Sequence, residues 1–168
     1  MNHTTIEVFF DYACPYCYRA HPYLLELLPG YPGLDVVWSP CESHPRPDRY
    51  GPHSDLMIMG MFFAQDNEID LLQYHDAMYR ATHRDHVDVE DAGALAAYAS
   101  GIVDAPLFKD AVQSGAYAGR LDAANDRAYG QSDVWVVPAY RMNGHRLDPV
   151  EDVGITKKQL ARFIQSAL

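Results

Sequence analysis

An α/β architecture, a sheet interrupted by a long helical insertion, is the fold class this sequence predicts, and three observations carry it. The chain opens in the order strand, helix, strand. It then changes character over residues 55–129 to repeated helical periodicity with polar breaks, and it returns to strand-like composition with a hairpin signal before a last amphipathic helix. Residues 1–50 and 131–168 are therefore expected to form one discontinuous α/β domain around an inserted helical domain at 51–130.

The first strand is the apolar run 6–10, which alternates poorly and so suits a strand covered on both faces. Residues 18–28 carry apolar positions at Tyr18, Leu24, Leu25, Leu27 and Leu28 and stop at Pro29 and Gly30, the pattern of a helix with room for a kink at Pro22. A second strand follows at 34–38. A right-handed crossover of this kind places the turn after the first strand at the carboxyl end of the sheet, where open sheets present their sites. Residues 41–54, rich in Pro, His, Arg and Gly, read as loop.

Helices are expected at 55–66, 69–82, 89–100, 105–113 and 121–129, with Asp88 and Asp104 as N-caps and Gly101 and Gly130 as stops. The sheet should resume over 134–142. Asn143 and Gly144 are the strongest hairpin signal in the chain, returning an antiparallel strand at 145–147. Thr156, with Gln159 three residues later, forms a capping-box pattern for a helix to residue 168.

With 48% hydrophobic residues in 168, the chain has ample material for a packed core. Its 23 acidic against 13 basic residues give a net charge of −10, which argues against nucleic-acid binding. Apolar stretches fall far short of a membrane span, and no secretory pattern precedes the first strand, so a cytoplasmic setting is the simplest expectation. Three cysteines do not describe a disulfide-stapled secreted domain.

Two of them, Cys14 and Cys17, enclose Pro15 and Tyr16 at the strand-to-helix junction. A helix starting near Cys14 offers free N–H groups and the positive end of its dipole, which stabilise a thiolate and lower its pKa. One turn later, Cys17 is within reach to resolve a mixed disulfide on Cys14. Pro15 costs nothing in the first turn. Far along the chain, Pro138 interrupts a strand and needs a reason. A cis bond after Val137, leaving that backbone free for an extended substrate, is one; a plain edge proline or bulge is the other.

The segments Phe9–Phe10–Asp11–Tyr12–Ala13–Cys14–Pro15–Tyr16–Cys17 and Val136–Val137–Pro138–Ala139–Tyr140, either side of a long helical interruption, resemble DsbA-like thioredoxin-fold oxidoreductases, in the cytosolic FrnE-like subgroup. The resemblance covers nearly the whole chain. It implies a thioredoxin-like fold, Cys14 as exposed nucleophile, Cys17 as buried resolving thiol, and Pro138 as a cis proline beside them. It also implies no tightly bound cofactor, with protein thiols or disulfides, glutathione or a thioredoxin-type reductant as partners, and a homodimer as one possible assembly. Oxidase members often place an acidic residue six positions before the first cysteine; here Val8 stands there, and Glu7 should face the opposite way. Without histidine between the cysteines, the couple should be more reducing than that of periplasmic oxidases.

Cys41, at the end of the second strand, is expected to be a buried free thiol, with a second redox partner as the alternative. The histidines show no ligand spacing, so no metal site is expected. His44, Met57, Met61 and Trp135 are candidates for a substrate cleft; for the dense apolar run 56–63, core is the default and an adaptable Met-rich wall the functional alternative. Thiol–disulfide exchange leads. The alternatives are a glutathione-dependent isomerase or kappa-type glutathione transferase-like enzyme acting on a small aromatic substrate, which usually has serine at the first cysteine, and a binding-only role for the apolar helix.

Overall fold

Four strands build the sheet, and β1 (Thr4–Phe10) sits inside it because Ile6, Val8, Phe9 and Phe10 are all buried. The computed structural model describes residues 3–168. β1 pairs in parallel with β2 (Leu34–Pro40) and antiparallel with β3 (Ala139–Met142), which pairs with β4 (His145–Leu147), giving the order β2-β1-β3-β4. Asn143 and Gly144 both take positive φ, 49° and 79°, as the tight two-residue hairpin requires. α1 (Pro15–Leu27) leaves the carboxyl end of β1 and packs beside α7 (Lys157–Ala167), whose Thr156 and Gln159 form the reciprocal capping box.

Between β2 and β3 lie α2 (Asp55–Asp66), α3 (Leu71–His83), α4 (Ala92–Tyr98), α5 (Ala105–Gln113) and α6 (Ala118–Asn125), the last running into a π-helical turn at Asp126–Gln131. α2 is buried continuously from Met57 to Ala64, which makes it the core of the helical region. Gly60 is the contact that allows this: a Cβ there would run into the Tyr74 hydroxyl and the Phe108 ring. The Tyr74 hydroxyl donates to the Met57 carbonyl at 2.6 Å, so α2 and α3 approach closely enough for a side chain of one to bond the backbone of the other.

Several expectations change: the helices expected at 69–82, 89–100 and 121–129 are Leu71–His83, Ala92–Tyr98 and Ala118–Asn125. The strand expected from residue 134 begins only at Ala139; Val134 to Pro138 is irregular, with Asp133 at a left-handed φ of 52° and the Val137–Pro138 bond cis. The cap of α4 is Asp91, whose carboxylate accepts from the Ala94 N–H at 2.7 Å, rather than Asp88, which caps the preceding turn at Glu90 instead. Gly130 lies inside the π-helical turn and so does not stop a helix there.

Under the sheet end of α1, a cluster of aromatic rings joins α3 to the core. His75 is fully buried, with its Nδ1 2.7 Å from the Tyr12 hydroxyl, and its ring contacts those of His21, Trp38 and Phe10. Burial pushes the pKa of His75 down to about 3 and that of His21 to about 4. Both would titrate near 6.5 in the unfolded chain, so below that pH the unfolded state binds more protons than the native one. The stability they support is complete above pH 6.5 and is lost as pH falls toward about 3 for His75 and about 4 for His21. The slope for His75 should approach ~1.4 kcal/mol per pH unit. Urea unfolding at pH 7, 6 and 5 should show that decline in the native sequence and a shallower one in His75→Gln, which keeps a polar partner for Tyr12 without titrating. Equal slopes would show that His75 is not the group responsible.

Candidate active site

Cys14 is the N-cap of α1, with extended backbone (φ −83°, ψ 120°), and Pro15 is the first helical residue. The turn that presents it is held by Asp11. The Asp11 carbonyl accepts from the Cys14 N–H at 3.1 Å, and its buried carboxylate accepts from the N–H groups of Ala13 at 2.9 Å and Ser43 at 2.7 Å. One side chain thus ties the turn after β1 to the loop after β2.

Both cysteines are free thiols, and their surroundings differ sharply. Cys14 is half-buried; its pKa is lowered, first by the hydrogen bond from the Cys17 thiol and then by the N–H groups of Cys17 and Tyr16, against the opposing effects of burial and of the Asp11 charge. Cys17 is 1% exposed, and burial pushes its pKa well up. The Cys14 Sγ also lies 3.7 Å from the carbonyl oxygen of Val137, a residue 123 positions away, next to cis Pro138. Of the sequence-selected residues, the structure therefore gathers Cys14, Pro15, Tyr16, Cys17, Val137 and Pro138 in one place.

Above them opens a cleft of about 470 Å³, lined by Cys14, Pro15, Tyr16, His44, Trp135, Val136 and Val137 among others. Trp135 is 88% exposed at its mouth instead of filling a sheet face, because it precedes the start of β3. His44 lines the cleft with its Nδ1 3.1 Å from Asp48. Met57 and Met61 do not belong to it: both are fully buried in α2, where the closeness of α3 and α5 leaves no wall facing the thiols. Tyr16 is braced from below by Gly154, whose φ of 83° and missing side chain let the ring approach; Arg19 covers it with its guanidinium carbon 4.8 Å from the ring centroid.

Cleft residues that the sequence pattern did not single out include Asp11, Glu42, Tyr129, Glu151 and Asp152. Asp11 had a usable signal, an Asx residue at a strand-to-helix turn beside the cysteines. The others come from segments that only the tertiary fold brings together. Burial raises the Glu42 pKa, and its carboxylate accepts from the Asn125 amide at 3.0 Å, while the Tyr129 hydroxyl donates to the Glu42 carbonyl at 2.5 Å. Cys41 is fully buried and its pKa is pushed far up by burial, the condition of an unreactive thiol. Glu7 is occupied on the far face of β1, accepting from Ser39 Oγ at 2.7 Å and from Arg127 at 3.0 and 2.6 Å. Among the described residues no group of three or more His, Cys, Asp or Glu side chains is arranged to hold a metal ion, and no helix is long and apolar enough to cross a membrane.

Comparison with known proteins agrees with this geometry. The chain is similar to the Bacillus subtilis protein YwbO, which is uncharacterised, at 22% identity over 171 residues, covering 80% of this chain and 84% of that one. Among solved structures it resembles a probable DsbA oxidoreductase from Streptomyces coelicolor (TM-score 0.79, 18% identity, 98% of this chain and 90% of that one). It also resembles Pseudomonas aeruginosa DsbA (TM-score 0.67, 22% identity, 97% and 81%). A third is the cytosolic disulfide reductase DsbM of Pseudomonas aeruginosa with GSH (TM-score 0.71, 15% identity, 96% and 98%). The family model described as DSBA-like thioredoxin domain matches residues 5–161, nearly the whole chain, and the protein belongs to that family.

Proposed function

We propose that the protein is a thiol–disulfide oxidoreductase working through Cys14 and Cys17. The observation that carries this reading is the contrast between the two thiols: one half-exposed with a lowered pKa, the other sealed beneath it with a raised one and hydrogen-bonded to it. In reduction, the Cys14 thiolate attacks one sulfur of a substrate disulfide, forming a Cys14–substrate disulfide and releasing the other sulfur as thiolate. Cys17 then attacks the Cys14 sulfur, the Cys14–Cys17 disulfide forms, and the substrate leaves as a thiolate while the Cys17 proton is lost. The reverse sequence donates a disulfide to a dithiol. Val136 and Val137 lie beyond the β1–β3 ladder and flank the thiol, so their backbone is suited to align an extended substrate chain. Both retained thiols favour this chemistry over a glutathione-dependent isomerase or transferase, and a cytosolic, FrnE-like setting fits a fold shared with a cytosolic disulfide reductase.

The lining of the cleft narrows the substrate. It includes Asp11, Glu42, Glu151 and Asp152 and no lysine or arginine. Asp11 is already engaged by two N–H groups and Glu42 is shifted toward neutrality, so Glu151 and Asp152, both exposed, carry most of the charge a substrate meets. Disulfides flanked by cationic groups are therefore the preferred substrates, and glutathione, the thiol present with the Pseudomonas reductase, serves at most as a slower recycling partner.

Replacing Cys14 by Ser should abolish insulin reduction, and Cys17→Ser should accumulate mixed disulfides detectable by mass spectrometry; full activity in both variants refutes the assignment. The alkylation rate of the protein should rise with pH around a midpoint below the ordinary thiol value of about 8.5. Cys17→Ala should move that midpoint upward, since it removes the hydrogen bond that contributes most to the shift. At low ionic strength cystamine should be reduced at least ~5-fold faster than oxidised glutathione, with the ratio shrinking in salt and inverting in the Glu151→Lys/Asp152→Lys double variant. A ratio indifferent to both salt and the double variant would rule out charge selection.

A further inference from the structure

Beneath Cys17 lies a much smaller, partly open cavity of about 10 Å³, lined by Cys17, His21, Val8, Trp38, Tyr79 and Tyr140 among others. That volume is at the lower edge of what one water molecule occupies. His21 stands four residues after Cys17 on α1, so the two side chains share a helix face. The residue as a whole is half-buried, yet its Nε2 is sealed from solvent and has no hydrogen-bond partner, a condition that costs about 1–3 kcal/mol and calls for a reason.

The chemistry at Cys17 supplies one. When this buried thiol attacks the mixed disulfide it must lose its proton, and solvent does not reach it. Of the polar groups around the cavity, Tyr79 and Tyr140 are buried phenols whose pKa values are raised, so they remain neutral and are weak bases. Val8 is apolar, and Glu7 is committed on the other face of β1. A neutral imidazole is the strongest base left.

We propose that His21 is the proton acceptor for Cys17 in the resolving step, directly or through one water. The inference rests on the roles proposed above for the two cysteines. In balance, Cys17–SH, Cys14–S–S–R and neutral His21 give the Cys14–Cys17 disulfide, RS⁻ and protonated His21, which then releases its proton to solvent. The groups facing His21 are Cys17 on its own helix, Asp76, His75 and Tyr79 on α3, and Tyr140 on β3. Burial outweighs the attraction of Asp76 for the imidazolium, so the basic form of His21 persists down to about pH 4.

Stopped-flow reaction of the reduced protein with Ellman's reagent separates the steps. Cys14 releases a first thionitrobenzoate by attacking the reagent, and Cys17 releases a second by resolving the mixed disulfide. With His21 as acceptor, the second phase of the native protein is nearly flat between pH 5.5 and 8. In His21→Gln it slows on the order of 10-fold or more at pH 7 and climbs about tenfold per pH unit, while the first phase stays within twofold. A native second phase that itself climbs tenfold per unit overturns the proposal without any variant. So does a His21→Gln protein that slows both phases equally or keeps the native pH slope. Absence of a second phase in the native protein would instead refute the assignment of Cys17.

Discussion

The antiparallel register of β3 on β1 is the constraint on which the site depends. Phe9 lies opposite Ala139, Val8 opposite Tyr140 and Glu7 opposite Arg141, so the chain just ahead of the ladder, Val137 and Pro138, must arrive beside the end of β1 where the chain turns toward Cys14. A slip of one residue would exchange the faces of the whole strand, exposing Tyr140 and burying Arg141. Ala139, Tyr140 and Met142 are buried, and that burial, more than any contact at the cleft, keeps the Val137 carbonyl within 3.7 Å of the Cys14 sulfur across 123 positions of intervening chain.

The helical region braces the same place from the other side. Tyr12 bonds His75 of α3, and the Tyr12 carbonyl accepts from His83 Nε2 at 2.7 Å, so both ends of α3's inner face hold the turn that precedes Cys14. His83 in turn stacks on Tyr18 of α1 with centroids 4.9 Å apart. These bonds couple the turn before Cys14 to the packing of α2 and α3, where Gly60 permits the approach. Disturbing that interface is therefore a way of moving the active-site turn without touching a thiol.

Much of this was legible in sequence because it rests on local rules. The cap and capping box of α7, the Asn143–Gly144 hairpin, the apolar β1 and the extents of α2 and α5 follow from residue patterns within a few positions. The thiol pair and Pro138 were readable for the same reason, each being a short signal in a specific position. What resisted was whatever depends on distant groups. Met57 and Met61 sit in an apolar run that reads equally as wall or core, and only the closeness of α3 and α5 decides for core. Trp135 and the late start of β3 turn on backbone conformations at Asp133 and Pro138 that periodicity does not encode. His21 gave no signal, since a lone histidine on a helix is ordinary until its neighbours are known.

One apparent conflict remains between a net charge of −10 and a cysteine whose pKa is lowered, and magnitudes decide it. Hydrogen bonds to a charged acceptor contribute about 1.5–3 kcal/mol each, and Cys14 receives them from the Cys17 thiol and from two backbone N–H groups. An exposed carboxylate more than about 8 Å away is largely screened at physiological salt. Asp11 is the acid that opposes the thiolate, and its carboxylate is engaged by the Ala13 and Ser43 N–H groups. Reactivity at Cys14 is thus set by donors within one turn of helix, while the acidic surface acts at longer range on whatever approaches. The two can be tuned separately: on the proposed function, charge around the cleft would choose the substrate, while the start of α1 would set how readily Cys14 attacks it.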